Sequence, residues 1–221
     1  TLLFPKTSAR MTDTWRVVGL KGTGSDTYSV SDLFVPERYT VLRDPAARPR
    51  QGGLLYCFSA SNLYSSGFAG VALGIARRVF AAFVELARDK IPRGARRTLR
   101  DDNLVQSEVG KAEARLSAAR AYLIGALEEI WREVCRTGHL TQDQNLTIRL
   151  ASTWAIHQSR DVVATLYHAA GATAIFAGEP FERRFRDIHA VAQQYQGRQA
   201  HFVTVGQVLL GLPAEGTMFT F

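Results

Sequence analysis

The chain has 221 residues, of which 46% are hydrophobic and 21% are charged, and its formal net charge is +7. These fractions are typical of a soluble globular protein, and the length allows one large domain or two small ones. The two cysteines, Cys57 and Cys135, lie far apart in the sequence, which excludes a disulfide framework and a cysteine metal site.

Strand signals fill the first 50 residues. Trp15, Val17 and Val18 are β-formers, the Gly22-Thr23-Gly24-Ser25 run has the composition of a turn, and an extended pattern resumes over residues 28–35. Residues 43–53 are rich in Pro, Gly and Arg and are typical of a linker. We interpret residues 1–50 as a partial β-domain.

Helical periodicity dominates residues 51–221. Apolar residues recurring at three and four positions predict helices over residues 58–89, from Asp101 or Asp102 to residue 135, from Thr141 to Gly171, and from residue 181 onward with a break near Gly197. Long helices with short loops between them pack as an antiparallel four-helix bundle. We therefore expect a mainly α fold, with this bundle over residues 51–221.

The first predicted helix carries Gly67, Gly70 and Gly74 on one face, where another backbone can approach closely. We expect a homo-oligomer, either a dimer or a tetramer. The most apolar run, residues 67–76, is too short to span a membrane, and the N-terminal residues lack the regions of a targeting signal. We expect a cytoplasmic protein without a membrane partner.

Two motifs have competing interpretations. The Gly22–Ser25 run lacks the Lys and the following helix of a phosphate loop, so it is either a tight turn or a site where Thr23 or Ser25 binds a ligand. The run EPFERRFRDIH places Arg183, Arg186 and Asp187 at a helix start. We favour a structural Arg–Asp pair for Asp187, while the arginines could meet a phosphate.

Other site classes receive little support. The five histidines do not form a metal set, and no nucleophile motif is present. The arginine clusters could contact a nucleic acid, but no aromatic stacking platform or recognition helix accompanies them, so we expect no nucleic-acid partner.

Three separated stretches resemble the acyl-CoA dehydrogenase superfamily, and in particular its flavin-dependent monooxygenase branch. They are WRVVGLKGTGSDTYSVSDLFVPE, LYHAAGATAIF and PFERRFRDIHAVAQQ. The resemblance implies a type 2 C-terminal bundle, a usual tetramer, and FAD or FMN held between a β-domain and the bundle. The family's N-terminal helical domain has no counterpart here, so we expect a fragment, a truncated gene product or the ordered part of something longer. We expect weak or absent flavin binding by this 221-residue form.

The resemblance also suggests residues for the site. Our candidates for flavin contact are Thr23 and Ser25, either Arg88 or Lys90, and Gly171 together with Ala172 and Thr173. Where dehydrogenases of the family have a catalytic Glu, this chain has Tyr195 or Gln196, with Tyr64 at an alternative position, and none of these is a carboxylate. Gln194 stands where the monooxygenase branch commonly has a His, and it is our candidate on the substrate side.

The resemblance thus implies a reduced-flavin-dependent monooxygenase that hydroxylates a small aromatic or polycyclic substrate, served by a separate flavin reductase. Acyl-CoA dehydrogenation is an alternative that the missing Glu argues against. A non-catalytic oligomeric bundle that has lost flavin is the other alternative.

Overall fold

The computed structural model describes residues 1–41 and 52–214. In chain order its strands and α-helices are β1 (Arg10–Thr12), β2 (Thr27–Ser29), α1 (Ala60–Asp89), α2 (Asn103–Thr137), α3 (Gln142–Ala170), α4 (Glu182–Gln193) and α5 (Ala200–Leu209). The predicted mainly α fold is confirmed. The boundary at residues 50 and 51, and most of the predicted linker, lie outside the described residues.

The strands are shorter than the sequence suggested, and only β2 overlaps a predicted extended stretch, at Tyr28 and Ser29. β1 pairs with β2 in antiparallel register, with Met11 opposite Tyr28. Residues 15–18 and 33–35 are not strands, so these predictions were wrong. The main-chain N–H of Trp15 donates to the Asp26 carboxylate at 3.1 Å, and its indole Nε1 donates to the Leu20 carbonyl at 3.1 Å. Local contacts of this kind replace the sheet ladder that β propensity alone would favour.

Local capping signals set the helix ends as predicted. The Asp102 side chain accepts hydrogen bonds from the N–H groups of Leu104 and Val105 at the start of α2. Thr141 and Gln144 form a reciprocal capping box at the start of α3. Gly138 closes α2 with a φ of 76°, a left-handed conformation that favours glycine.

The core lies around α3, which packs against α1, α2 and α4. Phe83 of α1, Leu116 of α2 and Ile156 of α3 are each at most 1% exposed. Ile188 of α4 is fully buried as well, so the short fourth helix belongs to the same core. Burying such side chains supplies the main driving force for holding the helices together.

α1 is more apolar than we expected from the sequence. Its 30 residues are long and apolar enough to cross a membrane, with a mean hydropathy of 1.6 over the most apolar window. The expectation that the most apolar stretch is too short to span a membrane is therefore wrong by length and composition. However, Ala72, Val79 and Phe83 are fully buried in the core, and the core helices of globular proteins meet the same criterion.

The predicted fourth long helix is in fact two short ones. The chain leaves α4 at Gln194 and enters α5 at Ala200, with a single 3₁₀ turn between them. A Cβ at Gly197 would lie 2.6 Å from the Ala192 carbonyl oxygen, so the chain can fold back this closely only at a glycine. The break near Gly197 is thus confirmed, and it places Gln194 at the end of α4.

Candidate functional site

A cavity of about 900 Å³ lies where three segments meet: residues 15–25, the first half of α1 and the end of α4. We call it the junction cavity. Its walls are mainly apolar and include Trp15, Val17, Leu63, Phe68 and Val71. The polar side chains in the lining belong to Thr23, Ser25, Tyr64, His189, Gln193 and Gln194.

Residues 15–25 are seated directly on α4. The Leu20 N–H donates to Oδ1 of Asp187 at 2.7 Å, and the Arg186 guanidinium donates to the Val18 carbonyl at 2.5 Å. Gly19 lies so close that a Cβ there would be 2.3 Å from the Arg186 carbonyl oxygen. Leu20 has a φ of 54°, an uncommon value for a residue with a side chain. One wall of the cavity is therefore fixed by contacts with the helix that forms another wall.

Asp187 has a more specific role than the Arg–Asp pair predicted from the sequence. Its second oxygen does face Arg183, at 3.5 Å, but Arg183 is 80% exposed at its side chain. The shorter contact is the hydrogen bond from the main chain of Leu20. Exposed ion pairs contribute little, so the main contribution of Asp187 is to hold residues 15–25 against α4.

Three of the predicted site residues share the junction cavity, namely Thr23, Ser25 and Gln194. The Thr23 hydroxyl donates to the Leu20 carbonyl at 2.8 Å, which leaves its lone pairs available. The side-chain oxygen Oε1 of Gln194 accepts a hydrogen bond from the main-chain N–H of Gln196 at 2.7 Å, so the side-chain NH₂ group is the part left for a ligand. These side chains can therefore both donate and accept hydrogen bonds in the cavity.

The other predicted contacts lie elsewhere, because Arg88, Lys90, Gly171, Ala172 and Thr173 are not among the cavity-lining residues. The Lys90 ammonium donates to the Ala170 carbonyl and, at 2.7 Å, to the Thr173 hydroxyl. This cation thus satisfies a carbonyl group at the C-terminal end of α3. Lys90 and Thr173 come together as a helix-end contact, apart from the cavity.

None of the residues that line the junction cavity is Asp or Glu. Tyr64 lines the rim and is 62% exposed. Gln196 is buried, and its amide oxygen accepts a hydrogen bond from Arg149, which is itself 5% exposed. Burial lowers the pKa of Arg149. Tyr195 is 40% exposed and is not among the lining residues. The three positions compared with the dehydrogenase Glu thus provide two phenols and a structural amide.

A histidine pair anchors the break after α4. His157 Nε2 lies 2.8 Å from the Gly197 carbonyl oxygen, and His201 Nε2 lies 2.8 Å from the Tyr195 carbonyl oxygen. Burial lowers the pKa of both imidazoles, that of His201 to about 4. The neutral rings donate one hydrogen bond each to the main chain. These contacts fix the main chain next to Gln194.

His189 is not among the residues predicted for the site, because the five histidines show no metal-binding spacing and no motif singles it out. The structure places His189 in the wall of the junction cavity, with its ring centre 4.4 Å from that of Phe185. The helical spacing from His189 to Gln193 puts both residues on one face of α4, and this signal was present in the sequence.

The junction cavity has the properties of a site for a flat, mainly apolar ring system with a polar edge. Its volume falls within the usual range of ligand sites, and its few polar groups converge on apolar walls. Val18, Tyr64 and Val71 on the rim are 69%, 62% and 51% exposed, so the cavity is open on one side. A flavin ring fits this donor set and these walls, with hydrogen bonds available from Ser25 and Gln194.

Comparison with known proteins gives one family and a consistent set of relatives. The family model "Acyl-CoA dehydrogenase, C-terminal domain" matches residues 66–199. The chain is 29% identical to indole-3-acetate monooxygenase of Pseudomonas putida, over 95% of this chain and 53% of that protein. It is also 29% identical to the oxygenase component of an FADH₂-dependent resorcinol hydroxylase of Rhizobium sp., over 97% of this chain and 56% of that protein.

The fold has a solved counterpart in the 3-HSA hydroxylase from Rhodococcus sp. RHA1. The two match with a TM-score of 0.86 and 25% sequence identity, over 98% of this chain and 58% of that one. The chain thus spans little more than half the length of the relatives that it matches. Because the family model covers more than half of the chain, this protein belongs to the acyl-CoA dehydrogenase family and carries its C-terminal domain.

Proposed function

We propose that this chain is part of the oxygenase component of a reduced-flavin-dependent monooxygenase that hydroxylates a small aromatic substrate. The single observation that carries the proposal is the junction cavity, which is apolar, large enough for a ring system and free of carboxylates in its described lining. The relatives named as monooxygenases and hydroxylases support the same reaction class.

The cavity argues against acyl-CoA dehydrogenation. That reaction needs a base to remove a proton next to the acyl carbonyl, and a positioned base contributes about a hundred- to ten-thousand-fold in rate. Tyr64 and Gln196 do not meet this need near neutral pH, because one is a phenol and the other is a neutral amide. Hydroxylation of an aromatic ring does not require a carboxylate as base.

The cofactor of the proposed reaction is FAD or FMN, supplied in reduced form. Bound flavin would provide the redox chemistry with oxygen, as cofactors generally do, while the protein positions the reactants and excludes water. Ser25 and the Gln194 amide would hydrogen-bond polar edges of the ring or of the substrate. Trp15, Phe68 and Val71 would exclude water from one face.

We further propose two kinds of protein partner. One is a separate flavin reductase, as the term "oxygenase component" in the name of the Rhizobium relative suggests. The other is a second copy of this chain. Gly67, Gly70 and Gly74 have no atom within 4 Å of a built Cβ, and they line a groove between α1 and α2 that another helix would fill. The second copy would give a dimer or tetramer, and the reductase would supply it with reduced flavin.

The experiment uses the full-length gene product. We expect it to bind reduced FAD or FMN in an anaerobic titration, and to yield a hydroxylated product when oxygen and a panel of phenols and indoles are added. Anaerobic mixing of the oxidised flavoprotein with acyl-CoAs should leave the flavin absorbance unchanged. Bleaching by an acyl-CoA would instead favour a dehydrogenase, and absence of flavin binding would favour a non-catalytic bundle.

The 221-residue chain should bind flavin more weakly than the full-length protein. Its cavity is open to solvent at the rim formed by Val18, Tyr64 and Val71, so a bound ring would stay partly exposed. Ligand sites usually enclose most of the ligand surface. If the 221-residue chain and the full-length protein bound flavin with equal affinity, this expectation would be wrong, because the described walls alone would then hold the ring.

A further inference from the structure

A stripe of three buried polar side chains runs along the core helix α3. Arg149, Thr153 and His157 follow one another at four-residue spacing, which puts them on one face of the helix, and they are 5%, 0% and 6% exposed. The Arg149 guanidinium donates to the side-chain oxygen of Gln196, and the Thr153 hydroxyl donates to the Gln196 carbonyl at 3.4 Å. His157 Nε2 lies 2.8 Å from the Gly197 carbonyl oxygen. This face of the core helix therefore holds the turn that follows α4.

Arg149 is the member of the stripe that stability explains least. Its partners among the described residues are neutral, namely the Gln196 side-chain oxygen and the Ser61 hydroxyl of α1. A buried charge normally has an opposite charge beside it, and a well-packed apolar side chain in its place is often as stable or more stable. A buried cation with neutral partners is therefore better explained by the geometry that it fixes than by the stability that it adds.

The geometry fixed in this turn determines how Gln194 faces the junction cavity. The main-chain N–H of Gln196 donates to the Gln194 side chain at 2.7 Å, and because an N–H can only donate, the atom that faces it is the oxygen Oε1. The NH₂ group of Gln194 is not one of the buried unpartnered atoms among the described residues, so it is accessible. Since Gln194 lines the junction cavity, this NH₂ group is a hydrogen-bond donor in the cavity wall.

Loss of that arrangement would change the chemistry of the wall. If Gln196 moved, Oε1 of Gln194 would lose its partner and the amide could rotate, which would present an acceptor in place of a donor. The cavity-lining residues do not include Arg149, so its effect on a ligand would have to pass through Gln196 and Gln194.

We propose that Arg149 is a positioning residue: through Gln196 it holds the NH₂ group of Gln194 toward the junction cavity, where that group donates a hydrogen bond to a carbonyl oxygen of the flavin ring. This inference rests on the proposed monooxygenase function. It adds to that function a buried residue on α3, outside the cavity, on which the donor character of the wall depends.

The test is a double-mutant cycle in the full-length protein, read by anaerobic titration with reduced FMN and reduced FAD. Gln194→Leu removes the donor and should weaken flavin binding about 2- to 10-fold, the usual effect of one hydrogen bond. Arg149→Met replaces the buried charge by an apolar side chain and should weaken binding by a similar factor. The double variant should bind no more weakly than either single variant, because Arg149 acts through Gln194.

Two further variants separate positioning from charge and from folding. Arg115→Met, at an exposed position of α2 outside the cavity, removes the same charge and should bind flavin like the wild type. Arg149→Lys keeps a donor for Gln196 and should bind flavin with an affinity between those of the wild type and Arg149→Met. It also takes the place of Arg149→Met in the cycle if that variant does not fold.

Hydrogen exchange gives a readout without flavin. The exchange of amides in residues 195–197 should rise in Arg149→Met and remain unchanged in α2. Unchanged flavin affinity in the Arg149 variants, or a loss that persists in the Gln194→Leu background, would overturn the positioning role while flavin binding by the wild type still supported the proposed function. If the wild type bound neither flavin, the proposed function would fail, and this inference would fail with it.

Discussion

Asp187 on α4 accepts a hydrogen bond from the main-chain N–H of Leu20 at 2.7 Å, across 167 positions of sequence. This contact joins the segment between β1 and β2 to the helical bundle, and Leu20 itself lines the junction cavity. The Arg186 contact to Val18 and the close approach of Gly19 lie beside it. The shape of the candidate site therefore depends on a few contacts between distant parts of the chain.

Replacing Asp187 with Ala should loosen residues 15–25 from α4. The Leu20 N–H would lose its acceptor in a partly buried position, which costs about 1–3 kcal/mol. Amide hydrogen exchange should therefore increase over residues 15–25 and remain unchanged in α2. Asp89→Ala is the matched control, because Asp89 is exposed and makes no side-chain hydrogen bond or ion pair within the described residues. Unchanged exchange over residues 15–25 would contradict the anchoring role of Asp187.

Replacing Gly197 with Ala should destabilise the protein. The new Cβ would lie 2.6 Å from the Ala192 carbonyl oxygen, so main-chain atoms must move, and overpacking of this kind costs about 1–3 kcal/mol. Gly206→Ala is a suitable control, because a Cβ at Gly206 of α5 meets nothing within 4 Å. Alanine also stabilises a helix by up to about 1 kcal/mol relative to glycine. Thermal unfolding should show a lower Tm for the first variant and an equal or higher one for the second.

The protein should lose stability in mild acid because of His201. Its folded-state pKa is about 4, below the ordinary value of 6.5, so the unfolded chain binds more protons between these values. The contribution of the neutral His201 imidazole to the free energy of unfolding is complete above pH 6.5 and is lost as the pH falls toward 4. Each unit of difference between the folded-state and unfolded-state pKa corresponds to about 1.4 kcal/mol of stability. Urea unfolding from pH 7 to 4 should show a steep loss that His201→Gln reduces and His168→Gln leaves unchanged.

Self-association should depend on the small-residue face of α1. A Cβ at Gly70 meets no neighbouring atom within 4 Å, so Gly70→Arg should leave the fold of one copy intact while blocking a second. Light scattering should show an oligomer for the wild type and a monomer for the variant. Gly110→Arg, at an exposed position of α2 outside that groove, is the control. A wild-type monomer at micromolar concentrations would disprove the association.

Features set by neighbouring residues could be predicted from the sequence. The Thr141–Gln144 capping box, the end of α2 at Gly138 and the break at Gly197 all arise from contacts within a few positions. The predicted strand over residues 15–18 failed because contacts with Leu20, Asp26 and α4 decide its conformation. β propensity contains no information about such partners.

The candidate site could be predicted only in part, for the same reason. The resemblance brought Thr23, Ser25 and Gln194 into view, and the structure places all three in one cavity. It did not indicate His189, whose place in the cavity wall depends on which face of α4 meets residues 15–25. Nor did the sequence show that Lys90 contacts the Thr173 hydroxyl, because these residues are 83 positions apart.

The most direct test of the proposed function is a crystal structure of the full-length protein grown anaerobically with reduced flavin. We expect the flavin ring in the junction cavity, against Trp15 and Phe68, with a polar edge within hydrogen-bond distance of Ser25 or the Gln194 amide. A flavin ring bound elsewhere, with the junction cavity filled by the protein's own side chains, would contradict it.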